Sequence, residues 1–167
     1  LLTIFSLILL SLFQKTEANS INSISMDIAI DDNGNASVTE IWKCKPSQGT
    51  EVYHPYYNLG NSEITNLTVS ENGTKYTTLS TWNTSGTLSD KAYKCGINKL
   101  SNGIELCWGI SNYSSHTYTV KYNISNFVSE LSDSQMIYWT LIPYDFSNSI
   151  GNVYIKIHSN FNIPDSV

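Results

Sequence analysis

The feature of this sequence that most constrains its fold is an alternation of apolar and polar residues with a period of two. The alternation is clearest from His116 to Ile124, where every second side chain is aromatic or apolar from Tyr118 onward. Successive side chains of a β-strand point to opposite faces of a sheet, so this pattern predicts a strand with one buried face. No window of helical length shows an equally clear 3.6-residue stripe. The chain is therefore predicted to be all-β.

Turn signals separate other segments of the same kind. Asn-Gly pairs at residues 33–34, 72–73 and 102–103 predict hairpins, because this dipeptide tolerates the positive φ angles of tight turns. Pro55 cannot donate a ladder hydrogen bond, which places its strand at a sheet edge or a bulge. The predicted strands cover residues 24–30, 38–42, 51–57, 64–70, 75–79, 92–97, 104–108, 116–124, 135–141 and 152–157.

About nine or ten short antiparallel strands with turns between them predict a two-sheet β-sandwich. An immunoglobulin-like arrangement is the first interpretation, and a jelly roll or an open barrel is the alternative. The large side chains of the alternating segments should line the space between the sheets. They are Val38, Trp42, Ile104, Leu106, Trp108, Tyr118, Val120, Tyr122 and Trp139.

The N-terminal segment is typical of an export signal. Residues 1–13 are apolar and uncharged, and they are followed by Gln14, Lys15 and the small-residue stretch from Thr16 to Ala18. The run is shorter than the roughly 20 apolar residues of a spanning helix. We interpret residues 1–18 as a signal peptide that lacks its usual start, rather than as an uncleaved anchor. Residues 19–167 then form a single extracytoplasmic domain, exported to the extracellular face of the cell membrane.

The charge balance and the motifs exclude several classes of function. The net charge is −5 with only nine Lys and Arg residues, which argues against nucleic acid as a partner. His54, His116 and His158 lack the spacing of a metal site and are interpreted as surface or edge residues. No phosphate-binding glycine loop or nucleophile elbow occurs, and the sequence predicts no cofactor.

Two of the three cysteines flank a predicted hairpin turn. If residues 100–102 form a three-residue loop with Gly103 in the left-handed position, Cys95 and Cys107 oppose each other and can form a disulfide. A two-residue loop at 102–103 shifts the register and forbids the bridge, leaving two small buried thiols. Cys44 is in phase with Val38 and Trp42 and is interpreted as a core residue.

Aromatic residues around Pro55 give the best binding hypothesis. Tyr53, Tyr56 and Tyr57 surround the proline, and tyrosine rings can stack on a sugar or a peptide while their hydroxyls form hydrogen bonds. The alternative is that these rings cover the edge of the core. We expect a non-catalytic domain that contacts a protein or a glycan.

An enzyme acting on envelope glycans, or an accessory carbohydrate-binding module, is the alternative function. Glycoside hydrolysis needs a pair of carboxylates, and Glu40 and Glu105 are the two that lie within predicted strands. No catalytic motif accompanies them. We therefore do not expect this domain to be an enzyme.

Five segments together resemble the N-terminal domain of the predicted membrane proteins called domain-of-unknown-function family 2207. They are Ile28–Trp42, Ile64–Val69, Cys107–Gly109, His116–Tyr122 and Ile137–Trp139. The resemblance implies an extracytoplasmic β-sandwich followed by one or more transmembrane helices, so a membrane anchor is expected C-terminal to this sequence. It implies no catalytic residues, because the family has none established.

Overall fold

The described residues form two larger β-sheets that pack face to face and a separate sheet of two short strands. The computed structural model describes residues 19–143, 146 and 148–161, and the predicted signal peptide lies outside them. The strands are β1 (Ser20–Ile30), β2 (Ala36–Lys45), β3 (Glu51–Tyr57), β4 (Ile64–Glu71), β5 (Thr74–Lys75), β6 (Thr77–Leu79), β7 (Lys94–Lys99), β8 (Gly103–Gly109), β9 (His116–Ile124), β10 (Ser129–Glu130), β11 (Gln135–Met136) and β12 (Ile150–Ser159). One short helix, α1, spans Leu88–Lys91.

The larger sheet has six strands in the order β12-β1-β2-β9-β4-β5, and the smaller has four in the order β3-β8-β7-β6. The prediction of an all-β chain is confirmed. Pro55 lies on β3, which is an edge strand as predicted. The prediction that all strands are antiparallel is wrong, because β12 runs parallel to β1 and β6 runs parallel to β7.

Two further segments differ from the predictions. The strand expected over residues 135–141 is reduced to Gln135–Met136, which pairs only with β10. Helix α1 begins at a capping box in which Thr87 and Asp90 bond each other's backbone N–H groups. This Thr-x-x-Asp spacing is visible in the sequence. The sequence nevertheless predicts no helix there, because the segments on either side have strand patterns.

Seven of the nine side chains that the alternation predicts are buried in the core between the sheets. Trp42 and Trp108 are fully buried and meet edge to face with ring centroids 5.2 Å apart. Trp108 also packs against Tyr118 at 5.9 Å. Ile104 and Trp139 are only partly buried at the margin of this cluster. The faces of β2, β8 and β9 are thus assigned correctly by period-two alternation.

The predicted disulfide between Cys95 and Cys107 is wrong. All three cysteines are free thiols, and Cys95 opposes Trp108 while Cys107 opposes Gly96. The turn has only two central residues, closed by a bond from the Leu100 N–H to the Gly103 carbonyl. The register therefore shifts by one, and a shift of one residue sends the two side chains to opposite faces of the sheet.

A buried acid–base pair joins the two sheets. Glu40 projects from β2 of the larger sheet and His54 from β3 of the smaller, and both side chains are 0% exposed. His54 Nδ1 lies 3.0 Å and 3.1 Å from the two carboxylate oxygens of Glu40. The Trp42 indole N–H and the Tyr122 hydroxyl also donate to this carboxylate. The network thereby links β2 and β9 of the larger sheet to β3 of the smaller sheet.

One hydrogen bond shows which nitrogen of His54 carries a proton. His54 Nε2 lies 2.9 Å from the Leu141 carbonyl oxygen, which can only accept, so Nε2 carries a proton. Burial raises the pKa of the Glu40 carboxyl, but the facing charge of His54 and the donated hydrogen bonds outweigh burial and leave this pKa lowered. Glu40 is therefore a carboxylate, which faces His54 Nδ1 and accepts from the Trp42 indole N–H and the Tyr122 hydroxyl.

The alternating faces of the sandwich predict a contrast between two substitutions. Trp108→Ala should lower the free energy of unfolding by about 3–5 kcal/mol, because it empties a fully buried site. Lys121→Ala removes an exposed side chain from the opposite face of β9 and should change it by only about 0.5 kcal/mol. Urea unfolding measures both. Similar midpoints for the two variants would show that the faces are wrongly assigned.

Removing the carboxylate from the buried pair should destabilise the sandwich more than most polar substitutions. Glu40→Gln replaces the buried carboxylate that faces His54 Nδ1 and accepts from Trp42 and Tyr122, at a cost of about 3–5 kcal/mol. Glu63→Gln is the matched control, because Glu63 lies exposed on the loop before β4. In a double-mutant cycle with His54→Gln, the double variant should lose less stability than the sum of the single variants. Additive losses would refute the coupling.

The same pair predicts a dependence of stability on pH. A carboxyl whose pKa is lower in the folded than in the unfolded protein stabilises the fold above its ordinary value of 4.5. That contribution is lost as the pH falls from 4.5 through the lowered pKa of the folded state. Unfolding of the wild type and Glu40→Gln should therefore converge in free energy on acidification. A constant difference between them from neutral pH to below the folded pKa would contradict this.

Candidate ligand-binding groove

The three tyrosines around Pro55 do not come together in one site. The alternation of β3 turns Tyr56 inward, where it is 2% exposed and its hydroxyl bonds that of Tyr122 at 2.5 Å. Tyr53 and Tyr57 lie on the outer face, each 40% exposed. Tyr53 borders a small depression at the start of β3, whereas Tyr57 lines a groove at the other end of the strand. Of the three tyrosines, Tyr57 alone reaches this groove.

This groove has a volume of about 750 Å³ and lies where β3, β8 and β9 end or begin. Its walls are the loop of residues 58–62, the β7–β8 turn, the segment after β9, and residues 136–143. The residues lining it are Tyr57, Asn58, Leu59, Gly60, Asn61, Ser62, Asn102, Asn126, Ser129, Met136, Tyr138, Trp139, Thr140 and Pro143. Functional residues concentrate on loops held by a rigid scaffold, so this end of the sandwich is the candidate site.

The close approach of β3 and β8 at the groove depends on Gly103. It opposes Tyr57 in the strand pairing, and a β-carbon built at residue 103 would lie 2.1 Å from the Tyr56 carbonyl oxygen. Only glycine fits so close to another backbone. This glycine, read in the sequence as a turn residue, therefore also brings the Tyr57 ring beside the β7–β8 turn.

Hydrogen bonds between loops hold the groove in shape. The Asn58 N–H donates to the Asn102 carbonyl at 2.9 Å. The Asn126 side-chain amide donates to the Asn61 carbonyl at 3.1 Å, and the Ser62 hydroxyl donates to the Asn126 carbonyl at 3.2 Å. Asn58 and Asn126 adopt left-handed φ angles of 54° and 50°, which asparagine tolerates better than most residues. These hydrogen bonds therefore preform the walls of the groove in the absence of a ligand.

Aromatic rings cover the wall formed by residues 136–143. Trp139 is held in place because its indole N–H donates to the Phe127 carbonyl at 2.8 Å and its ring stacks on Phe127 at 5.3 Å. Tyr138 is 85% exposed, so nearly its whole ring faces solvent. With Tyr57, these rings offer flat apolar surfaces of the kind that stack on a ligand.

None of the residues lining the groove carries a charge. The exposed side-chain amides of Asn58, Asn61 and Asn102 are part of this lining. An amide both donates and accepts, and so pairs well with a hydroxyl. The lining therefore suits a neutral ligand rich in hydroxyl groups rather than a phosphate or a carboxylate.

Sequence reasoning missed most of this groove. Trp139 was assigned to the core, and Tyr138 and the asparagines were not singled out. The asparagines lie in turn segments, where they are common for conformational reasons alone, so composition gives no sign of a shared surface. The signal available in the sequence was that Tyr138 lies between the apolar residues Ile137 and Trp139, a run without the alternation of a half-buried strand.

The two carboxylates considered for hydrolysis lie apart. Glu40 faces the closed space between the sheets, whereas Glu105 lies on the outer face of β8, opposite Pro55 and Asn98. Its carboxylate accepts a hydrogen bond from the Asn98 amide at 2.7 Å. A glycosidase pair must flank one bond of its substrate. These two side chains do not share an open space in which a substrate could lie.

Histidine placement differs from the prediction for two of the three residues. His54 is fully buried, and His116 is 5% exposed. His116 repeats the pattern of His54: Nδ1 faces the Glu71 carboxylate at 2.6 Å and Nε2 lies 2.9 Å from the Asn112 carbonyl oxygen. His158 lies on the edge strand β12, as predicted, and contacts Asp27 at 2.8 Å. Both buried histidines are therefore structural.

The cysteines lack the environment of a reactive thiol. Burial and the nearby charge of Glu71 raise the pKa of the Cys44 thiol to about 12, so it is not a thiolate at neutral pH. Burial likewise raises the pKa of Cys95 and of Cys107. Across the described ranges, no group of three His, Cys, Asp or Glu side chains could hold a metal ion.

Lys91 and Glu51 form a further, partly buried ion pair on the outer face of the smaller sheet. Lys91 Nζ lies 3.0 Å from Glu51, 3.0 Å from the Thr50 hydroxyl and 2.8 Å from the Thr84 carbonyl. Its three protons are thereby used. The Trp82 ring covers the ammonium at 5.7 Å and donates its own N–H to Glu51. The donors of this cluster are therefore paired within the protein.

Solved structures similar to this chain are distant from it. Yeast LTA4 hydrolase matches 89% of this chain and 25% of its own length, with 9% identity and a TM-score of 0.49. An M1 zinc metallopeptidase from Deinococcus radiodurans matches 68% and 22%, with 6% identity and a TM-score of 0.37. A Legionella pneumophila crystal structure matches 65% and 40%, with 14% identity and a TM-score of 0.39. The chain thus spans less than half the length of each.

The family comparison bears directly on the resemblance seen in the sequence. No curated protein matches the chain. Within the described part of the molecule, no helix is long and apolar enough to cross a membrane. The family model described as the predicted membrane protein (DUF2207) N-terminal domain matches residues 20–163, which confirms the resemblance. The chain therefore belongs to the DUF2207 family of predicted membrane proteins and contains their N-terminal domain.

Proposed function

We propose that this domain is the non-catalytic, extracytoplasmic part of a membrane-anchored cell-envelope protein, and that its groove binds a neutral glycan. The family match supports the link to a membrane protein. The apolar run of residues 1–13 and the small-residue stretch ending at Ala18 support export. In this proposal the anchor lies C-terminal to the domain and the groove faces outward from the membrane.

The observation that carries the glycan proposal is the uncharged lining of the groove. Sugars present hydroxyl groups around a ring whose C–H faces are apolar, so a sugar site combines aromatic rings with neutral donors and acceptors. Tyr57, Tyr138 and Trp139 supply the aromatic rings. The amides of Asn58, Asn61 and Asn102 supply the neutral donors and acceptors. The groove is fixed by the bonds between its loops, which lowers the entropic cost of binding.

The expected result is that the 167-residue chain binds neutral oligosaccharides and binds acidic ones of the same length more weakly. Calorimetric titration with both sets measures this, and quenching of Trp139 fluorescence reports binding at the groove. The weaker binding of acidic glycans follows because the lining offers no cation to a carboxylate. Equal or tighter binding of the acidic set would contradict the proposal, as would no binding of either.

Tyr138→Ala should weaken binding of the neutral oligosaccharide by about tenfold, or about 1.4 kcal/mol. The ring is 85% exposed, so its removal should leave the free energy of unfolding nearly unchanged. Tyr113→Ala is the matched control, because Tyr113 is 51% exposed and its hydroxyl bonds Gly49 at the opposite end of β3. Equal losses of affinity in the two variants would place the binding site elsewhere.

A further inference from the structure

Strand β12 leaves one edge of the larger sheet open. It pairs with β1 over nine residue pairs without a bulge, and no other strand among the described residues pairs with it. Its second edge therefore presents a row of N–H and C=O groups along a strand of ten residues. Such an edge is a template for another strand.

The other sheet edges carry features that discourage pairing, and β12 does not. Strands β5 and β6 have two and three residues, and β3 carries Pro55. Short strands and prolines are common ways in which proteins protect an edge. Strand β12 is long, contains no proline and has a single lysine, Lys156. This difference between β12 and the edge strands β3, β5 and β6 favours pairing of β12 with a further strand.

One face of β12 is apolar and uncovered. Val153, Ile155 and Ile157 are 40%, 44% and 39% exposed. Their partners across the pairing with β1, on the same face of the sheet, are Ile24, Met26 and Ile28. Those three are at most 2% exposed and belong to the core. The apolar face of the larger sheet thus continues onto β12, beyond the part that the smaller sheet covers.

We propose that β12 of one chain pairs antiparallel with β12 of a second copy, about a two-fold axis through Ile155. A pair of identical edges gives a closed, self-complementary interface. In this register Ile155 opposes its own copy, and Val153 opposes Ile157 of the other chain. All three uncovered apolar residues then meet apolar residues, on one face of a continuous sheet formed by both chains.

The charges on β12 are compatible with this register. On the opposite face, Lys156 of one chain faces Tyr154 of the other, where the ammonium can lie against the ring. Each Lys156 is also 3.7 Å from Asp27 of its own chain, and His158 is 2.8 Å from the same carboxylate. No two like charges oppose each other. Moving the centre by one residue to Lys156 would place two lysines in contact, which disfavours that alternative.

A cysteine at the proposed axis tests the pairing directly. Directly opposed residues of antiparallel strands bring their β-carbons within disulfide range, so Ile155→Cys should cross-link two full-length chains on mild oxidation. The native Cys44, Cys95 and Cys107 are at most 5% exposed and should not compete. Ile41→Cys is the matched control, since Ile41 is 40% exposed but lies on the central strand β2. Equal cross-linking of the two variants would overturn the proposal.

Sedimentation equilibrium of the unmodified 167-residue chain gives an independent measure. The chain should show a reversible dimer, and Ile155→Lys should raise its dissociation constant by at least about tenfold, because two lysines then meet at the axis. Ile41→Lys should leave that constant unchanged. A chain that stays monomeric at all concentrations would overturn the proposal. If its β12 amides are nevertheless protected from hydrogen exchange, another segment of the same chain covers the edge instead.

Discussion

The structure depends on the buried pair of Glu40 and His54, because it is the point at which the two sheets are joined by charge as well as by apolar contact. Placing an ionised carboxylate between two sheets is unfavourable unless every lone pair finds a donor. Here the partners come from both layers: the indole of Trp42, the hydroxyl of Tyr122 and the imidazole of His54. A slip of either strand by one residue would leave a buried charge unpaired. The pair thus fixes how the sheets align.

The same chemistry pairs the other buried histidine. Glu71 and His116 repeat the arrangement of carboxylate, imidazole and backbone carbonyl, with the Tyr76 hydroxyl donating to Glu71 at 3.0 Å. In each case both histidine nitrogens face acceptors, and the carboxylate contacts at least two polar side chains. The proposed function therefore assigns recognition to the loops that the two sheets hold in place.

The groove and the open edge lie in different parts of the molecule and offer different kinds of contact. The groove combines aromatic rings and exposed amides on loops beyond the ends of β3 and β9, which suits a small neutral ligand. The edge offers backbone groups and a row of aliphatic side chains along β12, which suits another strand. Pairing through the edge would give each assembly two copies of the groove, and two linked sites bind a repetitive ligand more tightly than one.

The sequence by itself determined the strands and the faces of the core. Residues such as Val38, Trp108 and Tyr118 alternate with polar neighbours, and the pleat of a strand converts that period into an inside and an outside. Glu40, His54 and His116 also occupy the buried positions of the alternation, although their polar side chains suggested that they face solvent. What only the tertiary structure decided was pairing between segments distant in the chain. Three features depend on packing between elements, which local periodicity does not encode. They are the length of the turn between Cys95 and Cys107, the parallel pairing of β12 with β1, and the meeting of several loops at the groove.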